Sequence, residues 1–327
     1  MPPKYFSSLF FLGLLLLGSW NHTTAQESRY GTLYLLTSII NDPDDIATKG
    51  ARKDQKFTRE TFEFLADYAE MKFEYVDLGF GKDGINRFIE SETFAPTDQD
   101  VVVFLFTGHG IRFKKSTSRW PLLLCCPEET LTTAGRSELA GCLISVEEIY
   151  NKIKAKGPRL SITVANSCNN VGKDKEANIR QKLNHRPSTA ASTEDLTEQN
   201  QDNIELLTLH GGHMLISSSS PGQPAYINAE NGSYFVNEFM YELDESLLFS
   251  DRASSWPDIL KKASEKVQAQ KANQTPQFVF VRGKKAQFHR VQQDESQEDV
   301  DYDDNYVVDD EDFEDIFSEE DFFDEEA

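Results

Sequence analysis

Several common signatures are missing from this 327-residue sequence, and each absence removes a class of site. No Cys-x-x-Cys or Cys-x-x-His spacing occurs, so we do not expect a structural zinc site. No Gly-x-Ser-x-Gly motif occurs, which leaves a serine hydrolase with a nucleophile elbow as a remote alternative. Neither an internal repeat nor a twelve-residue calcium loop is present. What the sequence does contain therefore has to be interpreted from its charge, its cysteines and its strand pattern.

Basic residues are scarce, with 33 Lys and Arg against 55 Asp and Glu and a net charge of −22. Nineteen of the acidic residues lie between Asp294 and Glu326, where no Lys or Arg occurs. The chain before this segment carries a charge of only about −3, which argues against a nucleic-acid-binding surface. We expect residues 291–327 to form a disordered solubilising tail, with a recognition or weak cation-binding role as the alternative.

The first 25 residues have the pattern of a secretory signal peptide. Lys4 precedes an apolar run, Leu9–Trp20, and small residues at positions 23–25 offer a cleavage site. The run is short for a helix that spans a bilayer, although an uncleaved anchor is the alternative. We expect a mature chain that starts near Gln26, has no transmembrane anchor after cleavage and is secreted or periplasmic.

Only four cysteines are present, at positions 125, 126, 142 and 168. They could form two disulfides in an exported chain, but adjacent cysteines rarely pair with each other, and a chain of this length can build a core without disulfides. Cys125 and Cys126 follow three leucines and are interpreted as core residues. Cys168 differs from them because it lies in a polar segment directly after the apolar run 160–165.

The apolar pattern predicts strands that alternate with helices. Strands are expected at 31–40, 72–78, 101–106, 160–165, 212–217 and 277–281, and helices at 53–70, 84–90, 145–156, 235–243 and 256–270. This alternation indicates an α/β protein with a mainly parallel six-stranded sheet and helices on both faces. The polar stretch 173–205 does not fit these layers and is expected to be a surface insertion in a single domain, residues 26–290.

Reactive side chains follow two of the predicted strands. The third strand leads into Thr107–Gly110, and the fourth leads into Asn166–Asn170. Parallel strands bring their carboxyl ends to one edge of a sheet, so His109 and Cys168 are expected to face each other if the two strands are neighbours. A thiol beside an imidazole is a nucleophile with a proton donor for a leaving amine. Glycines on both sides of the histidine allow a substrate backbone to approach closely.

These motifs resemble the His-Gly and Asp-x-Cys blocks of caspases, metacaspases and bacterial caspase-domain proteins. The likeness extends over about residues 30–281 and includes the blocks Arg59-Glu60-Thr61-Phe62, Gly232-Ser233-Tyr234-Phe235 and Gln274-Thr275-Pro276-Gln277. The resemblance implies a caspase-like three-layer sandwich and a cysteine endopeptidase that cleaves protein or peptide substrates through a thioester. It implies no cofactor, and calcium enters only by analogy with the family.

Carried over residue by residue, the resemblance assigns His109 the role of general acid/base and Cys168 the role of nucleophile. The amides of Gly110 and Cys168 would form the oxyanion hole. The resemblance also implies a substrate pocket that contains Asp54, Thr107, Asn166, Ser217 and Ser218.

Asn166 departs from the family pattern, in which an aspartate at this position helps to hold a basic substrate side chain. We therefore predict a weak preference for Arg or Lys on the acyl side of the cut. Asp54 is the preferred source of the negative charge, with Asp42 and Asp45 as alternatives. The same departure leaves open a second class of function, a catalytically inactive binding or scaffold protein with a caspase-like fold.

Overall fold

The computed structural model describes residues 30–42, 45–126, 141–170 and 198–283. In chain order the strands are β1 (Thr32–Ile39), β2 (Lys72–Asp77), β3 (Val101–Thr107), β4 (Gly110–Ile111), β5 (Leu122–Leu124), β6 (Leu143–Ser145), β7 (Leu160–Asn166), β8 (Gly212–Ser217), β9 (Ile227–Asn228), β10 (Gly232–Ser233) and β11 (Gln277–Arg282). The helices are α1 (Ile46–Tyr68), α2 (Lys82–Glu90), α3 (Val146–Ala155), α4 (Glu198–Thr208), α5 (Tyr234–Asp244), which continues into a π-helical turn (Glu245–Phe249), and α6 (Trp256–Gln270).

Six strands form the central sheet in the order β11-β8-β7-β3-β1-β2. All neighbours in it are parallel except β11, which runs antiparallel to β8. Every residue of β3 and β7 is buried, because helices cover both faces at the centre of the sheet. The predicted mainly parallel six-stranded sheet is therefore confirmed.

Two apolar cores lie on opposite faces of the sheet and complete the three-layer sandwich. On one face Phe62 of α1, Phe239 of α5 and Trp256 of α6 pack in one cluster. On the other face Ile89 of α2 and Ile149 of α3 pack in a second cluster. The periodic apolar positions of each helix thus face the sheet, as the helical spacing predicted.

Helix α1 begins seven residues before its predicted start. Asp45 is its N-cap, and the side chain accepts a hydrogen bond from the amide of Ala47. The early turns were missed because Gly50 interrupts the helical pattern. A side chain at that position would collide with Ile227 and Asn228 of β9, so the glycine is required by close packing. The early start brings Asp45 to the carboxyl edge of the sheet.

Helix α4 overlaps the predicted polar insertion, which was expected to run to residue 205. The helix starts at Glu198, and Asn200 and Asn203 are buried. Leu206 and Leu207 belong to the core cluster that also contains Phe239 of α5. The insertion therefore ends earlier than predicted, since its last residues pack on the sandwich. Its remainder up to residue 197, the signal peptide and the acidic tail lie outside the described residues.

A small antiparallel sheet of β4, β5 and β6 lies beside the main sheet. It contains a disulfide between Cys126 and Cys142. Cys125 is buried as predicted. Cys126 packs partly buried against the core of this small sheet, but its disulfide was not predicted and results from the β5–β6 pairing, which brings it next to Cys142. Across the described ranges, no helix combines the length and apolar character needed to cross a membrane.

Candidate active site

The two predicted catalytic residues emerge from adjacent strand ends. Thr107 at the end of β3 pairs with Asn166 at the end of β7. The amide of Gly108 then donates to the carbonyl of Asn166 at 3.2 Å. His109 and Cys168 each lie two residues beyond this pair, on the same edge of the sheet. The condition set by the sequence, that the two strands are neighbours, is met.

Gly110 allows the histidine segment and the cysteine segment to approach each other. A side chain at this position would collide with the carbonyl oxygen of Cys168 and with the side chain of Ser167. The glycine is therefore needed for contact within the protein itself, in addition to the substrate access that the sequence suggested. This contact fixes the two segments together directly beside the candidate dyad.

Cys168 lies in a polar, partly exposed environment. The amide of Ala225, in the loop after β8, donates to the Cys168 Sγ atom at 3.3 Å. The amide of Asn169 donates to the carbonyl of Gln223 at 3.0 Å, which holds that loop against the cysteine segment. Cys125 provides the contrast, because burial raises its pKa to about 12. A partly exposed thiol with an N–H donor is the more reactive kind.

His109 is held from two directions. Its carbonyl accepts a hydrogen bond from the amide of Leu124 in β5 at 3.0 Å. Its ring atom Nε2 lies 2.5 Å from Asp45 Oδ2. This hydrogen bond lowers the pKa of Asp45 below its ordinary value, against the opposing effect of partial burial. Asp45 was considered in the sequence only as a possible charge for the substrate, and the structure places it on the histidine instead.

Three of the predicted pocket residues meet in a buried network with Ser233. The Asn166 Nδ2 atom lies 3.0 Å from Asp54 Oδ2, 3.2 Å from Thr107 Oγ1 and 2.9 Å from Ser233 Oγ. The amide of Ser233 donates to Asp54 Oδ1 at 2.7 Å. Gly232 is required here, since it has a φ of +87° and any side chain would collide with the Asp54 carboxyl. Ser233 was noted in a family block but was not predicted as a pocket residue.

The network contains one suppressed charge and one unused acceptor. Burial raises the pKa of Asp54 to about 7, although hydrogen bonds from Ser233 and Thr107 oppose the shift. Asp54 is 1% exposed and Asn166 is 4% exposed. The Asn166 Oδ1 atom has no hydrogen-bond partner within the described ranges. Buried acceptors of this kind are costly unless a donor reaches them.

Ser217 and Ser218 are buried and already hydrogen-bonded to the protein backbone. Ser218 Oγ donates to the carbonyl of Ser167 and accepts from its amide, at 3.2 and 3.1 Å. Ser217 Oγ donates to the carbonyl of Ser219 at 2.8 Å. Both hydroxyls hold the loops beside Cys168 in this structure, and contact with a substrate stays a prediction. In the part of the chain that is described, no group of three or more His, Cys, Asp or Glu side chains is placed to hold a metal ion.

An α/β sandwich that presents a histidine and a cysteine at the ends of adjacent parallel strands defines the class of cysteine-dependent hydrolases. The sequence model of the caspase-domain family matches residues 39–287, so the chain belongs to this family. No curated protein sequence matches the chain. Among solved structures, caspase-1 from Spodoptera frugiperda is similar, with 14% identity and a TM-score of 0.45 over 76% of this chain and 88% of that one.

Family membership confirms the predicted resemblance and the caspase-like three-layer fold. It also gives the general class of the protein as a cysteine-peptidase-like hydrolase, a class that acts on protein substrates. The likeness to the insect structure is too distant to add anything about activity.

Proposed function

We propose that the chain is a cysteine endopeptidase in which Cys168 is the nucleophile and His109 is the general acid/base. The observation that carries the proposal is the pairing of Thr107 with Asn166, which brings the two residues to one edge of the sheet. The close contact between Gly110 and the Cys168 carbonyl supports it. The amide directed at the sulfur supports it further, because donors to sulfur favour the thiolate.

In this proposal His109 takes the proton of the Cys168 thiol, and the thiolate attacks the carbonyl carbon of the substrate. The amides of Gly110 and Cys168 stabilise the oxyanion that forms. His109 then gives the proton to the leaving amine, the C–N bond breaks and a thioester remains. Water adds to the thioester with His109 accepting its proton, and the thiol is released together with the carboxylic acid.

The specificity of the proposed peptidase is a weak preference for Arg or Lys on the acyl side of the cut. Asp54 is the acid nearest to the Asn166 amide, and a cation that enters would favour its ionised form. Asn166 Oδ1 offers a further acceptor for a guanidinium or ammonium donor. The preference is weak because only one of these two groups can carry charge.

The proposal is tested with a peptide library and three variants of the purified mature chain. Cys168→Ala should abolish cleavage and covalent labelling by a thiol-directed peptide electrophile. His109→Ala should lower the turnover by about 10²- to 10⁴-fold. Cys125→Ala is the matched control, since it makes the same substitution at the other free cysteine, which is buried. This variant should still be labelled and should still cleave peptides.

Undiminished cleavage by Cys168→Ala would show that the nucleophile is assigned wrongly. An unlabelled wild-type chain that cleaves nothing in the library would instead favour the scaffold function. Cleavage confined to sites after aspartate or large apolar residues would overturn the proposed pocket while it leaves the dyad in place.

A further inference from the structure

We propose that Asp45 is a positioning residue that orients His109 and selects its tautomer. The inference rests on the proposed peptidase function, because it assigns a role in the same reaction. It starts from the 2.5 Å contact between Asp45 Oδ2 and His109 Nε2. A carboxylate is able only to accept a hydrogen bond, so the contact determines which ring nitrogen carries the proton.

The Asp45 side chain is fixed before it reaches the histidine. Its Oδ1 atom accepts from the amide of Ala47 at 2.7 Å, in the N-cap of α1. Its own amide donates to the carbonyl of Asp42 at 3.2 Å, and its carbonyl accepts from the amide of Thr48 at 3.1 Å. One carboxylate oxygen is therefore used for the helix, and the other is held at a defined place for the imidazole.

The sheet topology brings the three side chains into line. Cys168 follows β7, His109 follows β3, and Asp45 follows β1, and these strands are consecutive neighbours in the sheet. The amide of Ile40 donates to the carbonyl of Thr107 at 2.8 Å, which extends the pairing of β1 with β3 beyond the strand end. The order of the strands places the histidine between the cysteine and the aspartate.

The contact has a direct chemical consequence for the reaction. Hydrogen bonding to His109 lowers the pKa of Asp45, so the group is a carboxylate at neutral pH and accepts a hydrogen bond from Nε2–H. With Nε2 protonated, Nδ1 is the ring nitrogen that is able to take the proton of the thiol. The carboxylate also stabilises the imidazolium that forms when the thiol gives up its proton.

Helix capping alone does not account for this arrangement. Asn and Ser cap helices about as well as Asp does, and a cap needs only one oxygen. The second oxygen faces the imidazole in a partly enclosed place, where the His109 side chain is 28% exposed and the Asp45 side chain is 16% exposed. An exposed surface pair would contribute little, whereas a sheltered one constrains the ring.

Two variants separate orientation from capping. Asp45→Asn keeps an oxygen for the Ala47 amide but presents an NH₂ group to Nε2, which favours the opposite tautomer. Asp45→Ser keeps a cap and removes the carboxylate that faces His109 Nε2. Each should lower kcat by about ten- to a thousandfold and change KM by less than about threefold. Asp83→Asn, which removes an acid from the first turn of α2, is the control and should leave both constants unchanged.

The second readout does not depend on activity. In the full-length chain with ¹⁵N-labelled histidine, the His109 signals, assigned by their loss in His109→Asn, should show Nε2–H in the wild type and a shift toward Nδ1–H in Asp45→Asn. A wild-type spectrum with Nδ1–H, or an Asp45→Asn variant whose kcat lies within about twofold of the wild type, would overturn the inference. Should no peptide be cleaved by any form, the peptidase proposal fails, while the spectra still decide the tautomer.

Discussion

Two acids of the same helix, Asp45 at its N-cap and Asp54 in its interior, show opposite electrostatic behaviour. The pKa of Asp45 is lowered, chiefly by its hydrogen bond to His109. The pKa of Asp54 is raised to about 7, chiefly by burial. A hydrogen bond to a base therefore dominates at the helix end, and loss of solvent dominates only nine positions further along the chain.

The difference distinguishes two parts of the site. The dyad side contains His109, Cys168 and Asp45, and the pocket side contains the network of Asp54 and Asn166. On the dyad side the charge is permanent at neutral pH and serves the protein's own histidine. On the pocket side the charge is partly suppressed, and the polar atoms bond to one another. In the proposed reaction, the permanent charge would stabilise the imidazolium of His109. In the proposed pocket, the suppressed charge would become a full charge when a cation enters.

The largest expected effect on stability is the pH dependence that Asp54 causes. Its pKa is about 7 in the folded protein against an ordinary value of 3.8 for aspartate, so the unfolded chain loses the proton first as the pH rises. The stability that this group contributes is thus present below about pH 4 and lost by about pH 7, and the loss in the free energy of unfolding is about 4 kcal/mol at most. Asp54→Asn should remove this loss, so the variant should gain stability relative to the wild type as the pH rises.

The measurement is urea unfolding of the wild type and of Asp54→Asn at several values between pH 4 and pH 8. Asp45→Asn sharpens the comparison, because the lowered pKa of Asp45 gives stability that is lost as the pH falls below the ordinary range of aspartate. Between pH 4 and pH 8, Asp54→Asn should therefore gain stability relative to the wild type as the pH rises, whereas Asp45→Asn should be less stable by a nearly constant amount that shrinks only below about pH 4. Parallel stability curves for wild type and Asp54→Asn would show that Asp54 is ionised normally.

The second prediction concerns the covalent support of the dyad side. Cys126 and Cys142 are separated by 16 positions, and closing a loop of that size stabilises a protein by about 3 kcal/mol in the chain-entropy model. The double substitution Cys126→Ser/Cys142→Ser should lower the free energy of unfolding by this amount. Activity should fall as well, because β5 bonds to the His109 carbonyl.

Dithiothreitol supplies the control for this prediction. It should lower the stability of the wild type toward that of the double variant and leave the double variant unchanged. Equal stability of the two proteins without reductant would mean that the disulfide adds nothing to the sheet of β4, β5 and β6. The pocket side has no disulfide among the described residues. The hydrogen-bond network of Asp54 and Asn166 should therefore be unchanged both in the double cysteine variant and in dithiothreitol.

The strands, and the placement of His109 and Cys168 just beyond their ends, were predictable because these signals are local. Each of β3 and β7 is a continuous apolar run, and His109 and Cys168 follow these runs within two residues. The contact of Asp45 with His109 was not predictable, since it joins residues 64 positions apart through a helix whose start was missed.

Other features of the site depend on the backbone, which residue types do not specify. The amide that donates to the Cys168 sulfur belongs to Ala225, and an alanine carries no sequence signal for this role. The partner of Cys126 was set by the pairing of β5 with β6, two strands of three residues each that are too short to recognise by period. Ser233 joins the network of Asp54 and Asn166 through its amide as well as its hydroxyl.

The smallest expected effect is a change of specificity in Asn166→Asp. The new carboxyl would lie about where Nδ2 now lies, 3.0 Å from Asp54 Oδ2, and two acids so close share one proton near neutral pH. The pair would keep one negative charge, so an entering guanidinium would meet a full carboxylate instead of a half-suppressed one. Charge-assisted hydrogen bonds are about twice as strong as neutral ones. We expect kcat/KM for an Arg peptide to rise about tenfold relative to a Gln peptide, which corresponds to about 1.4 kcal/mol.

The control is Asn151→Asp, which adds the same charge at an exposed position on α3 and should leave the ratio of the two kcat/KM values unchanged. An unaltered ratio in Asn166→Asp would separate the buried network from substrate recognition and leave it a purely structural part of the fold.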